Sequence, residues 1–177
     1  MSELVKNPIT IVLAFDAQNC NPNGDPDNDN NPRQFEDGIG YMSSESIKYK
    51  IRSYIRDKVL FDGLEKNSHA LYCSPDTFSI ERSVKECLEP IIGKKTKGIP
   101  DDQQLEAYKE LCRYYYDTRM FGLVNTSYSN CSLLSRIKGA CQVSMPMSYD
   151  PIEIIPMTIT RCCVASDAER KGEDKGA

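Results

Sequence analysis

Between Ile9 and Phe15 the chain is apolar at every position but one. Ile9, Ile11, Leu13 and Phe15 fall on one side of an extended backbone, and Val12 and Ala14 on the other. Apolar residues on both faces predict a strand over residues 9–16 that is covered from two sides. The run gives way to Asn19-Cys20-Asn21-Pro22-Asn23-Gly24-Asp25-Pro26, residues that fix or tolerate turns. The loop continues through Asp27, Asp29, Pro32 and Arg33 to Gly38 and Gly40. Ser43 or Ser44 then caps a helix with Glu45 in its first turn. Ile47, Ile51, Tyr54, Ile55 and Val59 recur at helical spacing as its buried stripe, and Asp62-Gly63 ends it. Ser74-Pro75 predicts a further helix start, with Ile80, Val84, Cys87 and Leu88 inward. A basic loop, Gly93-Lys94-Lys95-Thr96-Lys97-Gly98, leads to a helix capped by Asp101 that carries Leu105, Tyr108, Leu111, Cys112 and Tyr115 inward. From Gly139 the period changes to two. Cys141, Val143, Met145 and Met147 alternate with Gln142, Ser144, Pro146 and Ser148, a strand with Pro146 at an edge or bulge. Asp150-Pro151 turns the chain, and residues 157–164 read as another strand.

Composition narrows the class. At 177 residues, 40% hydrophobic and 27% charged, the chain suits one ordinary globular domain. It has no apolar run of about 18 residues, and its first residues lack the basic start and apolar core of a signal peptide. The expectation is a cytoplasmic protein with no membrane partner. The eight cysteines include no Cys-x-x-Cys, and His69 is the sole histidine, so free thiols are expected in place of a metal site or disulfide framework. A net charge of −4 counts against a protein that coats nucleic acid indiscriminately.

Local chemistry leaves alternatives open. Lys48, Arg52 and Arg56 are spaced i, i+4, i+8 and form a basic stripe beside the apolar one, with Lys50 on its opposite flank. Such a stripe is either a solvated face or a phosphate-facing one. The Asn/Gly-rich turn adds backbone amides suited to phosphate, while its aspartates oppose that use. Asp25, Asp27, Asp29, Asn31 and Glu36 match positions 1, 3, 5, 7 and 12 of a calcium loop, but Asn30 stands where glycine belongs and a strand precedes the loop. The same aspartates could bind Mg²⁺ for RNA cleavage, although turn formation explains each of them.

Longer strings carry more. Phe15-Asp16-Ala17-Gln18-Asn19, Asn21-Pro22-Asn23-Gly24-Asp25-Pro26 and Asn31-Pro32-Arg33 resemble the N-terminal signature of the repeated backbone subunit of type I CRISPR Cascade complexes. Ile47-Lys48-Tyr49-Lys50-Ile51-Arg52-Ser53-Tyr54 resembles its basic helix, and Asp117-Thr118-Arg119-Met120-Phe121-Gly122 its Asp-x-Arg-x-Phe-Gly segment. Lys138-Gly139-Ala140-Cys141-Gln142, Asp150-Pro151-Ile152 and Thr158-Ile159-Thr160-Arg161 are similar to further landmarks in the same order, most like type I-C and then type I-B.

That resemblance implies an α+β fold, a modified RNA-recognition-motif (ferredoxin-like) palm with inserted helices and a β-hairpin thumb. Residues 1–164 would form the N-terminal part of the palm, with an insertion at about 63–131, and residues 165–177 a charged tail or hairpin tip. It further implies a noncatalytic subunit with no cofactor. Several copies would line a CRISPR guide RNA, with target DNA reached through the guide and other Cascade subunits as partners. By matching motif, Asn21, Asn23, Gly24 and Arg33 belong to the RNA groove, Lys48, Lys50 and Arg52 to a phosphate-facing helix, and Gln142 and Arg161 to the strand and thumb. There are departures. Ser43-Ser44 replaces a Thr-Asp cap, and Gly139-Ala140-Cys141-Gln142 replaces Gly-Pro-Val-Gln. Family members also run on for roughly another hundred residues, an ordinary domain length. The expectation is therefore a fragment, a truncated product or half of a split subunit, incomplete at its C-terminus. The alternatives are an RNA-cleaving backbone subunit using Asp25, Asp27 or Asp29, and a truncated mimic that inhibits Cascade assembly.

Overall fold

In the computed structural model, which describes residues 5–74 and 79–157, five helices and three two-stranded antiparallel ribbons occupy the chain. In chain order they are β1 (Gly24–Asp25), β2 (Asn31–Pro32), β3 (Ile39–Tyr41), α1 (Ser44–Phe61), α2 (Lys66–His69), α3 (Ile80–Ile92), α4 (Asp101–Tyr114), α5 (Tyr116–Phe121), β4 (Gly122–Val124), β5 (Arg136–Lys138) and β6 (Met147–Pro151). A single 3-10 turn, Thr126–Tyr128, follows β4. β1 pairs with β2, β3 with β6 and β4 with β5. This mixed architecture is compatible with the α+β class.

Most of the buried apolar side chains lie in one stretch of sequence. Val84, Leu88 and Ile92 recur four residues apart on α3 and pack with Ala107 and Leu111 of α4, Tyr115, Leu123, Tyr128, Leu134 and Ile137. That spacing puts them on one helix face, which the second helix and the β4–β5 ribbon cover. Outside this cluster Met42 and Ile47 are the other buried apolar side chains among the described residues.

Several expectations change. α3 is capped by Ser79, whose Oγ accepts from the Arg82 amide, and not by Ser74. On α4 Gln104 is buried along with Ala107 and Leu111, whereas Leu105, expected inward, is 44% exposed. Gln104 donates to the Ile99 carbonyl and accepts from the Leu133 amide, so its polar atoms are satisfied inside, while Leu111 and Tyr115 are buried as expected. Asp101 does not cap α4: Pro100 holds the cap position and no side chain caps the helix, Asp101 standing in its first turn. Tyr54 is likewise exposed, not part of the buried stripe of α1. Asp150-Pro151 does not turn the chain but continues β6, Pro151 standing opposite Ile39. The period-two run from Gly139 forms a ladder only from Met147. Residues 158–164, read as a strand, lie outside the described residues, as does the tail.

The N-terminal strand is the largest correction. Residues 9–16 join no ladder among the described residues, and Ile11 and Val12 are 81% and 89% exposed. Periodicity states which faces need cover. It does not supply the neighbouring strands, and none of the described strands lies alongside.

Candidate nucleic-acid interface

The Asn21–Arg33 loop is a tight hairpin set on the first helix. Asp29 and Asn30 take φ of 47° and 59°, the left-handed region that short polar side chains tolerate. The chain reverses there, and the Asn30 amide returns to the Asp25 carbonyl at 2.8 Å. Asn21 Nδ2 donates to the Asn30 carbonyl at 2.6 Å. Gly24 lies so close to Asn30 that a Cβ would meet the Asn30 Oδ1 at 2.0 Å and its backbone oxygen at 2.9 Å. Asn23 Oδ1 accepts from the Ser43 amide at 2.9 Å, and Ser43 in turn caps α1 by accepting from the Ser46 amide. One asparagine thus fixes the loop to the start of the helix. Arg33 Nη2 reaches Asp25 Oδ1 at 3.3 Å across the hairpin, and its Nε is buried with no hydrogen-bond partner.

The basic stripe of α1 is neutralised from within. Lys48 pairs with Glu45 at 3.6 Å and Arg56 with Asp57 at 3.2 Å. Arg52 Nε meets Asp117 Oδ2 at 3.0 Å, with the Asp117 side chain fully buried. Asp117 also accepts from the backbone amides of Tyr72 and Cys73. The Arg52 guanidinium lies over the Phe121 ring, 5.2 Å from its centroid, and near that of Tyr72. Burial pushes the Asp117 carboxyl above the ordinary carboxylate range, and the two amides and Arg52 oppose that push. Arg52 is therefore an internal brace between α1 and α5. Lys50, on the other flank, is exposed and has no ion-pair partner among the described residues.

The segment at 117–122 is a hub. Arg119 donates to the carbonyls of Cys112, Arg113 and Ser68 at 2.7, 2.7 and 2.6 Å. Gly122 and Gly139 touch backbone to backbone, and a Cβ on Gly139 would come within 2.4 Å of the Gly122 nitrogen. Past Gly139, the Ala140 and Cys141 amides donate to Arg119 and Met120 carbonyls, which leaves Gln142 exposed just beyond the end of α5. Arg161 lies outside the described residues. The structure thus joins Asn21, Asn23, Gly24 and Arg33 into one hairpin on α1, while Gln142 sits at the end of α5. Among the described residues no group of three or more histidine, cysteine or carboxylate side chains is placed to hold a metal ion. No helix among them is long and apolar enough to cross a membrane.

Sequence reasoning assigned no role to Asp117, whose partner Arg52 stands 65 positions earlier. It also passed over Arg136 on β5 and gave Lys138, quoted only as part of a landmark, no role of its own, although the alternation Arg136-Ile137-Lys138 marks an exposed strand face.

A sequence model of the family described as CRISPR-associated protein Cas7 matches residues 7–176. The CRISPR-associated protein Cas7 of Haloferax volcanii is 26% identical over 157 residues, which make up 85% of this chain and 42% of that relative. The chain therefore spans less than half the length of the curated relative it matches. With the family match extending across nearly all of its residues, this chain belongs to the CRISPR-associated protein Cas7 family.

Proposed function

We propose that the chain acts as a noncatalytic, guide-RNA-binding backbone subunit of a type I Cascade complex, most like type I-C. The family match over residues 7–176 carries this reading. In it, the described residues on either side of the inserted segment at about 63–131 belong to the N-terminal part of an RNA-recognition-motif-like palm. Copies align along the guide, other Cascade subunits flank them, and target DNA is met through the guide. The hairpin held to α1 by Asn23 would form one wall of the groove. Lys50 would face phosphate directly, and Lys48 would reach it by exchanging Glu45 for an RNA oxygen, since an exposed pair of this kind is held by little energy. Arg52 acts by positioning α1 and not by touching RNA.

The test is fluorescence anisotropy of a labelled RNA of guide length, with the full chain and its Lys48→Ala/Lys50→Ala variant. Two lost phosphate contacts should lower affinity and flatten the logarithmic salt slope by about 1.4. Unchanged affinity and slope would remove α1 from the site. Adding Mg²⁺ to the same mixture checks the noncatalytic reading. RNA cleavage that disappears on replacing Asp25, Asp27 or Asp29 by Ala would overturn it.

A further inference from the structure

Of the seven arginines among the described residues, six are engaged. Arg33, Arg52, Arg56, Arg82 and Arg113 pair with carboxylates, and Arg119 takes three carbonyls. Arg136 has no such partner among the described residues. It stands on the exposed face of β5 opposite Val124, at the edge of an open depression of ≈ 440 Å³. The remaining lining is Asn125, Thr126, Ser129 and Ser135: three hydroxyls and a carboxamide, with no carboxylate. Glu81, which reaches the neighbouring Ser127, is ion-paired with Lys85.

Asn125 supplies the second observation. It is only 6% exposed, yet its Nδ2 donates to nothing. A buried amide nitrogen without an acceptor is unfavourable, so the site is short of an acceptor. Donors gathered around one uncompensated guanidinium, in a concavity free of carboxylates, match the oxygens of a phosphoryl group. Lys138 follows two residues along β5 on the same face, Ile137 between them being buried. The two cations therefore sit in a row along the strand and not around a single point.

We propose that the β4–β5 ribbon and the turn after it form a phosphodiester-binding site for a single nucleic-acid strand, with Arg136 at the depression and Lys138 at the next phosphate. The proposal uses no residue of the hairpin or of α1, and rests on the reading above only for the class of ligand. Arg136 supplies the charge and the planar fork, the hydroxyls of Ser129, Ser135 and Thr126 add donors, and Lys138 keeps the strand on the ribbon.

The experiment uses the full chain, a labelled single-stranded oligonucleotide and inorganic phosphate. R136Q/K138Q should weaken oligonucleotide binding about tenfold and lower the salt slope by about 1.4. In NMR the Asn125 side-chain amide should shift on adding oligonucleotide to the wild type and stay still in the double variant. Binding and slope equal to wild type in R136Q/K138Q overturn the site. So does an Asn125 signal that neither probe moves. A shift with inorganic phosphate but none with oligonucleotide overturns the strand and leaves a free phosphoryl ligand. The variant Lys48→Gln/Lys50→Gln separates the two readings. If it binds normally while R136Q/K138Q does not, the ribbon site stands and the α1 reading falls; the opposite pattern overturns the ribbon site alone.

Discussion

Asn23 and Gly24 occupy positions where the resemblance places RNA, yet both have a structural role that acts without any ligand. Asn23 holds the Ser43 amide, and Gly24 leaves room for Asn30. Replacing Asn23 by Ala strands the Ser43 amide and should cost about 1–2 kcal/mol. A Gly24→Ala methyl would force the hairpin apart. For both variants the Ser43 amide should exchange faster with solvent, as read by hydrogen exchange, and an unchanged rate would detach the hairpin from the helix cap. The turn is legible in the sequence because its residues carry their own conformational limits. The pairing of Arg52 with Asp117 is not, since a contact over 65 positions leaves no local periodicity. Cysteine reactivity is decided at this scale too. Burial, with Glu110 nearby, pushes the Cys87 thiol up to about 11. Only thiolate reacts, so Cys87 should resist alkylation at pH 8 and react faster only as the pH approaches 11. Exposed Cys20 and Cys141 should be modified first, as mass spectrometry of a time course would reveal. Early labelling of Cys87 would mean that the α3–α4 face opens.

Between elements, the Arg52–Asp117 pair is the tie from α1 to α5. Removing one partner of a buried pair typically costs about 3–5 kcal/mol, because the other charge and its donors remain. Asp117→Ala should fall in that range, leaving Arg52 and the Tyr72 and Cys73 amides unanswered. Arg52→Lys should not restore stability, since an ammonium lacks the planar fork and its stacking on Phe121. Chemical denaturation of the variants measures both, and a cost under about 1 kcal/mol would class the pair with surface ion pairs. Helical periodicity locates α1, α3 and α4, because each has an apolar stripe, and α1 and α3 have a serine cap as well. It misplaces a single position where a polar side chain is satisfied inside, as Gln104 is buried and Leu105 is not, and the cap where a stronger local signature precedes the real one, as Ser74-Pro75 precedes Ser79. The ribbons are two to five residues long, which gives alternation little length to show in, and β3 meets its partner β6 across about a hundred residues.

Across the molecule, burial is uneven. The packed side chains run from Val84 to Ile137, whereas the residues that carry the hairpin and α1 bury little beyond Met42 and Ile47. The same imbalance divides what the sequence reveals: the helical segment specifies its own contacts, and the outlying segments state demands that other residues must meet. Residues 9–15 show what such a demand does in a concentrated solution. They contain neither charge nor proline, favour extended pairing, and stand open to solvent. Those are the traits of a segment that recruits its own kind edge to edge. Pro8 and Asp16 bracket the run and work as brakes on that recruitment. Colloidal lifetime, and not unfolding, would then limit how long this chain stays in solution. Val12→Lys should lengthen the lag before light scattering rises while leaving the thermal midpoint in place. A lag that does not respond would put the seed of association elsewhere.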